Sequence, residues 1–173
     1  MFWSPSQNNC EEWRGADATR YSLRGETAVD LFQHLLQNGV AVKVRVTGRS
    51  MAPFLAAGDV VTIRPADAAS LRFGDVVLVR SPHGLPIMHR LIRKLWHPVR
   101  GLIVQTHGDA VHIQDDAVDA DAVLGRVSEV RRQQDNSSTG WRRNLDSVCW
   151  RLVGALLAAR QWLRSSTVPA SDG

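Results

Sequence analysis

VVLVRSPHGLPIMHRLIRKL, residues 76–95, sets two runs of aliphatic and β-branched residues on either side of Pro82-His83-Gly84. Proline and glycine between apolar runs demand a turn, so the stretch reads as a β-hairpin with arms Val76–Arg80 and Pro86–Leu95. The same pattern recurs outward from it. Val42, Val44 and Val46 alternate with Lys43 and Arg45, the period of a half-buried strand. VVTIR (Val60–Arg64), GLIVQT (Gly101–Thr106) and VLGRVSEV (Val123–Val130) are short and rich in β-branched residues. Gly-Asp pairs punctuate them at Gly58-Asp59, Gly74-Asp75 and Gly108-Asp109. Many short strands with no helical run between them predict a mainly β, antiparallel body, either a barrel or a folded sheet.

Helices are expected only at the flanks. In Glu26–Asn38, Ala28, Leu31, Phe32, Leu35 and Leu36 recur at spacings of three and four, with Thr27 as the expected N-cap and Gly39 as the stop. Residues 1–25 read as a loose lead-in and 26–132 as the folded body. Residues 133–140, QQDNSSTG, form a polar linker. Within 141–173, Trp141, Leu145, Val148, Cys149, Leu152, Leu156 and Leu163 fit one helical side, accompanied by Arg142, Arg143, Arg151, Arg160 and Arg164. This predicts a basic amphipathic helix over 141–164 with two uses: packing back on the sheet, or peripheral contact with an anionic membrane surface.

Charge divides along the same boundary. Residues 1–125 hold 13 basic and 13 acidic side chains, whereas residues 126–173 hold 8 and 4, the whole of the formal +4. A neutral body with a basic tail argues against a nucleic-acid-binding core. Cys10 and Cys149 share no disulfide or metal-ligand spacing. The N-terminus has no signal-peptide pattern, and no run of about 18 apolar residues occurs. The expected location is therefore cytoplasmic or peripheral to a membrane.

Thr47–Asp59, TGRSMAPFLAAGD, puts Ser50 just past a strand, after glycine and before Met-x-Pro. A serine on such a constrained turn can present its hydroxyl beside backbone N–H groups, which acyl transfer requires. It needs a base, and position alone does not choose among six histidines. Met51 and Phe54 read as core plugs beneath the turn, and Asp59 and Asp75 as turn residues.

Taken in order, GRSMAPFLAAGDVV, FGDVVLV, MHRLI, THGDAVHIQDD and VLGRV make the chain resemble the catalytic domain of type I signal peptidases over about residues 40–130. Histidine at position 89, where the common bacterial enzymes carry lysine, makes it resemble the endoplasmic-reticulum and archaeal type. The resemblance implies a signal-peptidase-like β fold, Ser50 as nucleophile, His89 as general base, Asp115 as the acid that orients it, and Asp109 as support. It implies no metal or organic cofactor. The chemistry is coherent: imidazole exchanges protons near neutrality, and a carboxylate behind it fixes the tautomer. Lys94 lies five residues past His89, an odd offset that along a regular strand points it to the other face. Three departures from the family pattern matter. Ala110-Val111 replaces the asparagine that many relatives carry after Gly-Asp. Asp116 adjoins Asp115, so a one-residue slip exchanges their roles. His107 stands where many relatives have lysine and can compete as base. The family's usual membrane anchor before the serine is also missing, with an amphipathic helix in its place.

The function expected is a serine endopeptidase that cleaves a leader or signal segment of a peptide or preprotein after small residues. Two alternatives belong to other classes. One is a self-cleaving repressor-like regulator, which needs a DNA-binding domain ahead of the strands. The other is a catalytically silent peptidase-fold binding module.

Overall fold

The computed structural model describes residues 26–132, 142–144, 154–160 and 163. The expected lead-in 1–25 and linker 133–140 lie outside the described residues. Helix α1 (Glu26–Gln37) comes first. It is followed by β1 (Val42–Arg45), β2 (Val60–Arg64), β3 (Val76–Arg80), β4 (Pro86–His97), β5 (Gly101–His107), β6 (Val118–Asp119), β7 (Val123–Arg131) and β8 (Arg142–Asn144). The strands form one antiparallel sheet in the order β1-β2-β7-β3-β4-β5-β6, with β8 pairing β7. The sheet curls into a half-barrel with a helical segment toward each end of the chain.

Strand β3 explains why VVLV is apolar at every position. Val76 and Leu78 join Val29, Leu36, Leu55, Ile63 and Val127 in one core, while Val77 and Val79 join Leu71, Leu91 and Val104 in the other. A strand buried on both faces loses the alternation of a half-buried one. Between β3 and β4, the Ser81 amide donates to the Leu85 carbonyl and the Gly84 amide to the Ser81 carbonyl, the expected hairpin turn.

Helix α1 ends where glycine predicts. Gly39 has a φ of +79°, and the amides of Gly39 and Val40 reach back to the carbonyls of Leu36 and Leu35. The place of Thr27 and the buried face differ from expectation. Glu26, the first described residue, is already helical, so Thr27 lies within the helix and does not cap it. Ala28, Val29 and Leu36 are buried while Leu31 is exposed. The helix lies against β7, β1 and β4, and that seat turns Val29 inward in place of Leu31.

The tail needs a larger correction. Residues 142–144, expected as the first turn of a helix, form β8. Arg126 of β7 pairs with Arg64 of β2 and with Val77 of β3. Farther along β7, Glu129, Val130 and Arg131 pair with Asn144, Arg143 and Arg142. Backbone groups on a sheet edge left open by β3 require partners, and an extended segment supplies them where a helix cannot. Helix is present at 154–160, and its buried residues are Gly154 and Ala158. Leu156 and Leu163, from the expected apolar stripe, are 71% and 59% exposed. No helix among the described residues is long and apolar enough to cross a membrane.

Two of the three Gly-Asp pairs are one device used twice. Gly58 and Gly74 have φ of +95° and +91°. The following Asp59 and Asp75 each accept the amide three residues upstream, from Ala56 at 2.9 Å and Arg72 at 2.8 Å. Both are turn residues, as expected. The pair at 108–109 is built differently and belongs to the site below.

Leu36 carries the helix–sheet contact, so Leu36→Ala should cost about 2–5 kcal/mol in urea denaturation. Leu31→Ala on the outer face should cost about 0.5 kcal/mol or less.

Candidate active site

Ser50 lies in the turn after β1, and three buried apolar side chains seat that turn. Met51, Phe54 and Leu55 all enter the core shared with α1. The Leu55 amide donates to the Met51 carbonyl at 2.8 Å, so the chain from Ser50 onward is wound tightly. The other side of the turn is held from a distance: the Ala110 amide donates to the Ser50 carbonyl at 2.8 Å. The amides of Ser50 and Met51 donate to no acceptor among the described residues. They are the candidate oxyanion donors.

His89 is buried on β4, opposite Val77. Its Nε2 stands 2.9 Å from Ser50 Oγ and its Nδ1 2.6 Å from Asp115 Oδ2. A carboxylate accepts and does not donate, so Nδ1 carries the proton and Nε2 is free to accept from the serine hydroxyl. Asp115 is fastened to β5 by three bonds. Its amide donates to the Thr106 carbonyl at 3.1 Å, Gln105 Nε2 donates to its carbonyl at 3.2 Å, and Thr106 Oγ1 donates to Oδ2 at 2.5 Å. Burial pushes the Asp115 carboxyl up. Hydrogen bonds from His89 and Thr106, and the fields of His89 and His107, more than offset this and hold it below its ordinary 3.8.

Asp109 is held by a different partner. It forms a two-pronged pair with Arg90, from Nε at 2.8 Å and from the terminal guanidinium nitrogen Nη2 at 2.6 Å. The other terminal nitrogen donates to the Gly74 carbonyl at 2.8 Å, and the guanidinium lies 4.5 Å above the Phe54 ring centre. The Arg90 side chain is 1% exposed. Asp109 thus supports the turn, flanked by two residues that touch the site. One is Ala110, whose amide holds Ser50. The other is Gly108, where a Cβ would stand 2.8 Å from the Ser50 carbonyl oxygen and 3.0 Å from His89 Nε2. Close approach, and not a turn conformation, requires glycine there.

The open alternatives separate in space. Asp116 is exposed, while Asp115 meets the imidazole. His107 is buried and makes no hydrogen bond to Ser50; its Nδ1 has no partner among the described residues. Lys94 is disengaged for a reason other than parity. The β4–β5 register shifts between Leu91 and Arg93, which cancels the odd-offset argument. Lys94 Nζ instead donates to the carbonyls of Ala69 and Leu71 at 2.7 and 2.9 Å.

Three contributors lie beyond the sequence motifs. Arg90 stands in sequence as a charge inside the apolar run MHRLI. Thr106 and the Ala110 amide carry no local signal, because their roles depend on cross-strand register. Neither a scan of protein-family models nor a search of curated proteins gives a match to the chain.

A carboxyl depressed on folding adds stability that is complete above its ordinary value and is lost as pH falls through the depressed one. The stability gap between wild type and Asp115→Asn, read from urea melts, should be full above about pH 5 and narrow as the pH drops below 3.8. A gap independent of pH across that window would contradict the assignment.

Proposed function

We propose that the chain is a serine endopeptidase of signal-peptidase type, which cleaves a leader or signal segment after small side chains. One observation carries the reading: the continuous line Ser50 Oγ–His89 Nε2 and His89 Nδ1–Asp115 Oδ2, at 2.9 and 2.6 Å. Side chains 39 and 26 positions apart in sequence meet in the order that activates a hydroxyl.

In this mechanism Ser50 Oγ attacks the scissile carbonyl while its proton passes to His89 Nε2. The imidazolium that forms lies against the Asp115 carboxylate, which stays anionic. The carbonyl oxygen gains the negative charge and is met by the amides of Ser50 and Met51. Collapse of the tetrahedral adduct breaks the C–N bond, and the leaving amine takes the proton from Nε2. Water, deprotonated by His89, then hydrolyses the Ser50 ester and returns the free hydroxyl. The preference for small residues before the cut rests on the family resemblance alone.

The reading extends to peripheral membrane contact through the C-terminal helix. Exposed Leu156, Arg160 and Leu163 support it: two aliphatic side chains with a cation on the outward face suit an anionic interface. Flotation with anionic liposomes should fall when Leu156 and Leu163 are both replaced by aspartate. Undiminished flotation would remove this part of the proposal.

A small-residue leader-peptide library, incubated with the protein at about pH 8 and read by mass spectrometry, tests the chemistry. Ser50→Ala and His89→Ala should each lower kcat/KM by about 10³-fold or more, and the double variant should be no worse than either. Asp115→Asn should lose nearly as much, through the wrong tautomer. Cleavage that survives in Ser50→Ala would end the serine mechanism.

A further inference from the structure

We propose that the helical segment 154–160 is a working part of the candidate active site: it closes over the Gly74 carbonyl that holds Arg90, and so fixes the Arg90–Asp109 pair behind Ser50 and His89. The inference rests on the peptidase reading above and gives the tail a second role besides surface contact.

Two glycines meet backbone to backbone. A Cβ on Gly74 would stand 2.4 Å from Gly154 C and 2.5 Å from Ala155 N, inside any real contact distance. Conversely, a Cβ on Gly154 would stand 2.7 Å from the Gly74 carbonyl oxygen and 3.3 Å from the Arg90 terminal nitrogen. Gly74 also needs its φ of +91°, so it answers to two demands at once. Ala158, one helical turn on, is fully buried, and Leu157 packs on the core that contains Phe54.

What this contact covers is the hydrogen-bonded turn that holds Arg90. The Gly74 amide donates to the Leu91 carbonyl and the Leu91 amide to the Asp75 carbonyl, which locks the turn to β4 beside Arg90. Arg90 then spends its donors on the Gly74 carbonyl and both Asp109 oxygens. Asp109 is bracketed by Gly108, pressed against His89, and by Ala110, whose amide grips Ser50. The chain of contact from Gly154 to the nucleophile is therefore unbroken: Gly154, Gly74, Arg90, Asp109, Ala110, Ser50. Each link is a hydrogen bond, an ion pair, a peptide bond or a backbone contact, and the two side chains that take part, Arg90 and Asp109, are buried. Gly154 is a positioning residue, since it touches neither substrate nor reacting atoms.

The test is made on the full chain with Gly154→Val, Gly154→Ala and, on the half-buried face, Ala159→Ser. The rate at which a fluorophosphonate labels Ser50 reports the nucleophile without a known substrate. Hydrogen exchange of the Arg90 Nε–H, read by NMR, reports the buried pair, and exchange of the sheet amides reports folding. Expected is an approximately 10²-fold slower labelling in Gly154→Val, with Arg90 Nε–H protection lost while the β3 and β4 amides stay protected. Gly154→Ala should fall between Gly154→Val and wild type, and Ala159→Ser should match wild type. Unchanged labelling and unchanged Arg90 protection in Gly154→Val would overturn the proposal, as would loss of all sheet protection in both Gly154 variants. A wild-type Ser50 that ignores the probe would overturn the serine-nucleophile reading instead, and Arg90 protection would still decide whether the helix holds the pair.

Discussion

Arg90 brings a full positive charge to a position with 1% of its side chain exposed, beside an Asp109 side chain that is 4% exposed. Neither ion can be left unpaired there, since an uncompensated buried charge costs roughly 3–5 kcal/mol. Everything near the pair is arranged to satisfy it. The Gly74 turn offers its carbonyl, Phe54 offers its ring face, and the two-pronged geometry uses both Asp109 oxygens. Such a pair adds little net stability over an apolar equivalent, but it tolerates few alternative arrangements. Its neighbours along the chain are His89 on one strand and Gly108 and Ala110 on the next loop. A rigid ionic knot one residue from the imidazole fixes where that imidazole stands.

In front of this knot lies a second, softer network. Thr106 and Gln105 hold Asp115, Asp115 holds Nδ1 of the imidazole, and Nε2 is left to meet Ser50. The division of labour is visible in the two carboxylates. Asp109 is consumed by arginine and contributes position, whereas Asp115 has its negative charge directed at a ring that can gain a proton. His107 helps to keep Asp115 ionised without joining the hydrogen-bond line.

Period and turn chemistry made most of the sheet legible in advance. β1 to β5 and β7 follow from β-branched runs and Gly-Asp or Pro-His-Gly punctuation, because those signals are local. β6 and β8 are not local. Each is two or three residues long and is extended only because a neighbouring strand offers an open edge. The same limit applies at the site. Ser50 and His89 could be named from motif order, but Asp115 and Asp116 differ only in which one the Thr106 carbonyl and Gln105 side chain select. Arg90 stands out as a charge in an apolar run, yet its partner is 19 residues away. The β4 irregularity around Ile92 shows the same thing from the other side: one inserted residue overturned a sound parity argument about Lys94, and only the register reveals it.

Strand order carries a consequence for how the molecule comes into being. β1 and β2, which frame Ser50, lie on one flank of β7, while β3 to β6, which carry His89 and lead to Asp115, lie on the other. Among the described residues, ladder hydrogen bonds join the two flanks through β7 alone, at Val123–Arg131, which is made after both. A chain emerging in order therefore holds its serine in one hairpin and its histidine in another, with no shared ladder between them. Contacts that wait on distant strands form late, because the loop-closure entropy must be met first. Maturation of the site is thus tied to insertion of the last central strand. Until residue 131 has found its place, the strands that carry Ser50 and His89 have no common neighbour.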